Sequence, residues 1–224
     1  MRRLGAQVSS IRHAGVDVFV DIDRIRPFSE FRTIFDVGAH VGESAIEFCN
    51  RAPLARVIAI EPVRANYDKL SKNVAGIDRV VTVNAALSSS EGQATMSYGA
   101  SSQTHSLAAG DSTAIGLTAG ESVRMTTVDK LAEEYHFERI DFLKTDTEGH
   151  DLKVLSGAAR LLSEKKIDFV FSEVTFLNDG LHTSFFEMHD LLSASGFTLM
   201  GLYDIAIARK PGRIEYCNAL FTRV

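Results

Sequence analysis

Residues 143–152 read LKTDTEGHDL, and the kind of sheet this chain builds is decided there. The apolar run leading into it, Ile140-Asp-Phe-Leu-Lys144, has the length and composition of a strand. Within a few residues it gives way to Asp146, Glu148, His150 and Asp151 around a single Gly149. A helical rhythm then begins, with Leu152, Leu155, Ala158 or Ala159, and Leu162 recurring on one face. Strand, polar turn and helix in that order make half of a parallel crossover unit. Three roles compete for the turn's acids and histidine: metal site, general base or helix cap.

Outward from this stretch the same alternation recurs. Thr33–Val37 reads as a strand, followed by a glycine turn and a helix whose Ala45, Ile46 and Cys49 share a face before Pro53 stops it. Arg56–Ile60 is a second strand, 63–74 a helix, Val80–Val83 a third strand and Ile167–Phe171 a fifth. Strands alternating with helices predict an α/β fold with a mostly parallel sheet covered on both faces. After a helix near 184–195 the pattern changes. Two strand-like runs, Phe197–Tyr203 and Tyr216–Phe221, are separated by a loop too short for a crossover helix, so they should pair antiparallel.

Residues 33–224 are expected to form one domain, with 1–32 an extension packed on it; 224 residues suit one substantial core. Residues 88–122 are rich in Ser, Thr, Gly and Ala. Ala94–Tyr98 suggests a strand, while 99–120 reads as either a lid or a disordered excursion.

With 45% hydrophobic and 24% charged residues the composition is that of a soluble globular protein. A net charge of −5 without basic clusters argues against nucleic acid as a partner. No stretch approaches the ~20 apolar residues of a membrane span, and Asp17 and Asp21 interrupt what would be a signal segment. Cys49 and Cys217 lack close Cys or His neighbours and are expected as buried free thiols in the cytoplasm.

Acids recur where strands should end: Asp36, Glu61, Asp146, Glu148 and Glu173. Ligands of an open parallel sheet bind beyond those ends. The first turn, Asp36-Val-Gly38-Ala-His-Val-Gly42, fails the G-x-G-x-x-G pattern in every register, which counts against a dinucleotide pyrophosphate. A carboxylate at Asp36 repels phosphate and attracts an ammonium or sulfonium group. Glu61, 23 residues after Gly38, stands where an acid that binds ribose hydroxyls is expected. Together these features describe S-adenosylmethionine.

DVGAHVG, the IEPV after the second strand, NAALS at 84–88 and above all IDFLKTDTEGHDLKVLSGA resemble the FkbM family of S-adenosylmethionine-dependent methyltransferases over roughly residues 33–200. The resemblance implies a Rossmann-like class I methyltransferase fold. It places Asp36, Gly38, Ala39, His40 and Gly42 around the cofactor's methionine part, Glu61 on the ribose, and Asn84, Ala85 and Ala86 beside the adenine. Asp146 is expected to hold the cofactor. The family more often has Asn at the position of His40, and apolar residues at those of Thr145 and Thr147, which implies a more polar lining here.

Methyl transfer to a hydroxyl of a small molecule or saccharide needs a base within hydrogen-bond reach. The expected order is His150, Glu148, Glu173. Asp146, Glu173 and His182 lack diagnostic ligand spacing, so no metal is expected. His105, Ser106 and Leu177 to His182 are placed to cover an acceptor. The alternatives are a nicotinamide-dependent dehydrogenase and a non-catalytic nucleoside-binding module.

Overall fold

The computed structural model describes residues 15–98, 105–108, 118–177, 182–207, 212 and 214–223. In chain order, α1 (Val18–Asp23) and a 3-10 turn (Phe28–Glu30) precede β1 (Thr33–Val37), α2 (Glu43–Arg51), β2 (Arg56–Ile60), α3 (Arg64–Asn73) and β3 (Val80–Val83). Next come β4 (Ala86–Leu87), β5 (Gly92–Tyr98), β6 (His105–Ala108), β7 (Thr118–Thr126) and α4 (Val128–Glu134). The remainder is β8 (Ile140–Thr145), α5 (Asp151–Ser156), α6 (Ala159–Ser163), β9 (Ile167–Val174), α7 (Phe185–Ala194), β10 (Thr198–Ile207) and β11 (Ile214–Thr222).

Seven strands form the main sheet in the order β10-β11-β9-β8-β1-β2-β3. The five from β9 to β3 run parallel, and β11 is antiparallel to both β9 and β10. The chain builds β1, β2 and β3 outward on one side, then returns to lay β8 against β1's other edge. That reversal opens a crevice between the carboxyl ends of β1 and β8.

β1 is buried along its whole length, because both of its faces are covered. Its side chains alternate between two cores, Phe35 and Val37 in one and Ile34 in the other. The second core draws in the segment before β1. Phe28 packs edge-on against Phe142 with centroids 5.5 Å apart, and Phe31 stacks on Phe169 at 5.4 Å. Arg26 bridges Asp141 (2.8 Å) and Asp168 (2.9 Å), while Tyr203 donates to the buried Asp21 at 2.8 Å.

Two local features depart from the sequence reading. The helix expected through Leu152–Leu162 is broken into α5 and α6 around Gly157 and Ala158. A Cβ on Gly157 would lie 2.1 Å from the Ser88 carbonyl oxygen, so the chain must cross that backbone without a side chain. Asp129 restarts the helix, accepting the N–H groups of Arg160 (2.7 Å) and Leu161 (3.1 Å). The second departure is a four-stranded sheet, β4-β7-β5-β6, built largely from the Ser/Thr/Gly-rich segment. Within the lid expected at 99–120, residues 105–108 and 118–120 are strand; 99–104 and 109–117 lie outside the described residues, as do 178–181.

Candidate active site

A cleft of about 370 Å³ opens at the carboxyl ends of β1, β2, β8 and β9, with β11 and the second sheet closing its sides. Gly38 sits at its centre with φ +78°, and a Cβ there would lie 1.9 Å from the Asp146 carbonyl oxygen. The Asp146 N–H donates to the Val37 carbonyl at 3.0 Å, so β1 and β8 remain joined to their tips. Glycine is required where the two strand ends approach so closely.

At one end, Glu61 directly follows β2 and is 5% exposed. The backbone N–H groups of His40 and Val63 each donate to a different carboxylate oxygen at 3.0 Å, and Asn66 adds a side-chain hydrogen bond. Burial pushes the carboxyl up to about 7 against these donors. A carboxylate offers about four acceptor positions and three are taken, so room remains for one hydroxyl entering from the cleft. Val63, Ala85, Ala86, Leu87 and Met96 supply an apolar wall beside it.

Beneath the cleft, Asp36 is fully buried and does not line it. Its oxygens face Lys144 Nζ (3.2 Å) and Ser44 Oγ, which donates at 2.6 Å. The same ammonium lies 3.3 Å from Asp146 Oδ2 and 3.3 Å from the Gly38 carbonyl. Burial opposes the charge on Lys144, but the carboxylates of Asp36 and Asp146 outweigh it and raise its pKa. Asp36 is thus held beneath the cleft by Lys144 and Ser44, a role its place in the sequence did not reveal.

At the other end stand Asp146, Thr147, Glu148, Glu173 and Tyr216. Glu148 has φ +52°, a left-handed conformation uncommon for a non-glycine residue, and Gly149 follows at +92°. The turn is pinned by the buried Asp151, which accepts the Thr147 N–H (3.2 Å) and the Thr183 hydroxyl (2.9 Å). Glu173 is pushed up to about 7, by burial first and then by the carboxylates of Asp146, Glu148 and Asp151, with His182 opposing. Glu148 is raised for the same kinds of reason.

Of the expected cofactor residues, Gly38, His40, Glu61, Ala85, Ala86 and Asp146 line the cleft, and Asp36, Ala39, Gly42 and Asn84 do not. Ala39 turns inward and is buried in the core. Gly42 begins α2 and lies against Leu70. Asn84 braces the wall from outside, its amide donating to the carbonyls of Glu61 and Pro62 at 2.9 Å each. Glu148 and Glu173 line the cleft, whereas His150, first in the expected order, does not. Its Nε2 lies 3.0 Å from Ser88 Oγ, and burial, then Lys153, lowers its pKa. Thr147 does add a polar lining group; Thr145 is buried against Ser172 at 2.7 Å and adds none.

The sequence reading missed Lys144, Asn66, Met96 and Tyr216. Lys144 carried a signal, a lone cation inside an apolar strand run, and Asn66 lies close behind the IEPV turn. Met96 and Tyr216 arrive from distant strands and carried none. Among the described residues, no group of three or more His, Cys, Asp or Glu side chains is arranged to hold a metal ion, and no helix is long and apolar enough to cross a membrane.

This sheet order, with its switch-point cleft and an acid just beyond β2, is that of a Rossmann-like α/β fold. Aeropyrum pernix fibrillarin, solved with S-adenosyl-L-methionine bound, matches with a TM-score of 0.50 at 12% identity over 88% of this chain and 68% of that one. At that identity the fold alone is shared. The family model for the methyltransferase FkbM domain matches residues 36–199, and the chain belongs to that family. The hexuronic acid methyltransferase AglP of Haloferax volcanii is 30% identical over 145 residues, covering 63% of this chain and 55% of the relative. Methyltransferase sdnD of Sordaria araneosa is 30% identical over 153 residues, 55% of this chain and 59% of the relative. The matches therefore span little more than half the length of these relatives.

Proposed function

We propose that this chain transfers a methyl group from S-adenosylmethionine to a hydroxyl of a small molecule or saccharide. The observation that carries the reading is the division of one cleft into two unlike ends. One has a single hydrogen-bonded acid beside an apolar wall; the other has crowded acids beside an aromatic ring.

The residues present fit the cofactor. Glu61 would accept a ribose hydroxyl, Ala85, Ala86, Leu87 and Val63 would pack on the adenine, and Asp146 would face the methionine part. Bound there, S-adenosylmethionine supplies an electrophilic methyl carbon: the acceptor oxygen's new bond to it replaces the carbon–sulfur bond, leaving the hydroxyl proton to be removed. Glu173 is the general base of this proposal. It projects from a strand end, and its carboxyl near 7 is matched to proton removal near neutral pH. Glu148, in its strained turn, accepts a neighbouring hydroxyl and orients the acceptor. The family membership and the names of its relatives support methyl transfer, and the name AglP bears, that of a hexuronic acid methyltransferase, supports a saccharide.

Titration calorimetry with S-adenosylhomocysteine and with NAD tests the reading. Binding of the sulfur compound with no response to NAD is expected. NAD binding with no response to S-adenosylhomocysteine would sink it.

A further inference from the structure

We propose that the acceptor end of the cleft selects a hydroxyl compound without negative charge, a neutral saccharide before its uronate. This rests on the methyltransferase reading above and adds a substrate class to it.

The charge balance at that end is uneven. Asp146, Glu148 and Glu173 line it, and Asp151 lies directly behind, 1% exposed. Lys144 is a single ammonium placed between Asp36 and Asp146, 3.2 and 3.3 Å from them. Among the described lining residues there is no Lys or Arg. His182 opposes the upward shift of both glutamates, and burial together with the neighbouring acids outweighs it. Glu148 and Glu173 both hold their protons more tightly than free carboxyls, through burial first and then through neighbouring acids. A carboxylate on the acceptor would add another negative charge to a half-buried site, where water screens it poorly. A hydroxyl meets the opposite situation, since both glutamates accept its hydrogen bonds.

Tyr216 supplies the other half of the selection. It lines the same end from β11 and is 43% exposed. A half-exposed ring of this kind offers a flat apolar surface with a polar tip, which suits the C–H face of a pyranose surrounded by hydroxyls. The selection separates this chain from its relative named for hexuronic acid.

Transfer of labelled methyl from S-adenosylmethionine is to be compared among methyl glucopyranoside, the corresponding amino sugar glycoside and the corresponding uronate at pH 8. Binding of each to the protein loaded with S-adenosylhomocysteine is followed by ligand-observed NMR. The neutral and amino glycosides are expected to exceed the uronate in kcat/KM by at least about tenfold, with the same order in binding. Glu148→Gln should bring the ratio of neutral glycoside to uronate towards one, with S-adenosylhomocysteine affinity unchanged. A uronate used as well as its neutral counterpart, or a ratio indifferent to Glu148→Gln, overturns the proposal. So does binding of S-adenosylhomocysteine without transfer to any of the three sugars. Failure to bind S-adenosylhomocysteine is a different result, and it removes the methyltransferase reading itself.

Discussion

The two ends of the cleft hold carboxyls pushed to the same value by different means. Glu61 and Glu173 are both raised to about 7. For Glu61 burial acts alone, resisted by hydrogen bonds from His40, Val63 and Asn66. For Glu173 burial is reinforced by neighbouring acids and resisted by His182. A carboxyl held by backbone donors is fixed in place and suited to binding. One raised by its neighbours is poised to exchange a proton. The same pKa therefore does not imply the same role.

The sharpest way to break this comparison is to remove the proposed proton acceptor alone. Glu173→Gln should lower kcat by about 10²–10⁴-fold while S-adenosylhomocysteine binds as before, measured by single-turnover transfer and calorimetry. Equal loss of binding would show that the two ends are not separate. Gly38→Ala acts on the seam between them. Its Cβ would meet backbone at 1.9 Å at a positive φ, and a destabilisation above about 3 kcal/mol is expected in denaturant unfolding.

Glu61→Gln should weaken S-adenosylhomocysteine binding by about 100-fold, as expected for a lost charge-assisted hydrogen bond to a ribose hydroxyl, and leave the acceptor end intact. The same variant tests the pH behaviour. A carboxyl at about 7 when folded and 4.5 otherwise binds more protons in the folded state. Its stabilising contribution is complete below 4.5 and is lost as pH rises through 7. Without cofactor, the wild type should therefore lose stability between pH 5 and 8 by on the order of 2–3 kcal/mol more than Glu61→Gln does. Cofactor affinity should change the other way, rising with pH as the carboxylate forms. The smallest effect is expected from His150→Ala. Loss of its bond to Ser88 should leave kcat within about tenfold of wild type, whereas a base would cost much more.

Much of the architecture was legible because its signals are local. Asp36, Glu61, Asp146 and Glu173 each follow an apolar run, and a β-strand places its last residue at the sheet end without help from distant sequence. The short link before Ile214 forces β10 and β11 to pair antiparallel for the same reason. Burial is not local. Asp36 and Asp146 look alike in sequence, yet Lys144 and Ser44 enclose the first while the second borders the cleft. His150 and Glu148 are two residues apart, and the left-handed backbone at Glu148 and Gly149 turns them to different surroundings.

By itself the sequence determined the alternation of strand and helix, the antiparallel tail, the acids at the strand tips and the glycine turn after β1. These follow from periodicity, chain geometry and the lack of a Cβ. Only the tertiary structure decided which acids face the cleft, which is enclosed beneath it, and that Met96 and Tyr216 complete its walls. Those outcomes depend on contacts between strands far apart in the chain, where solvation and charge pairing are set by neighbours that no local pattern records.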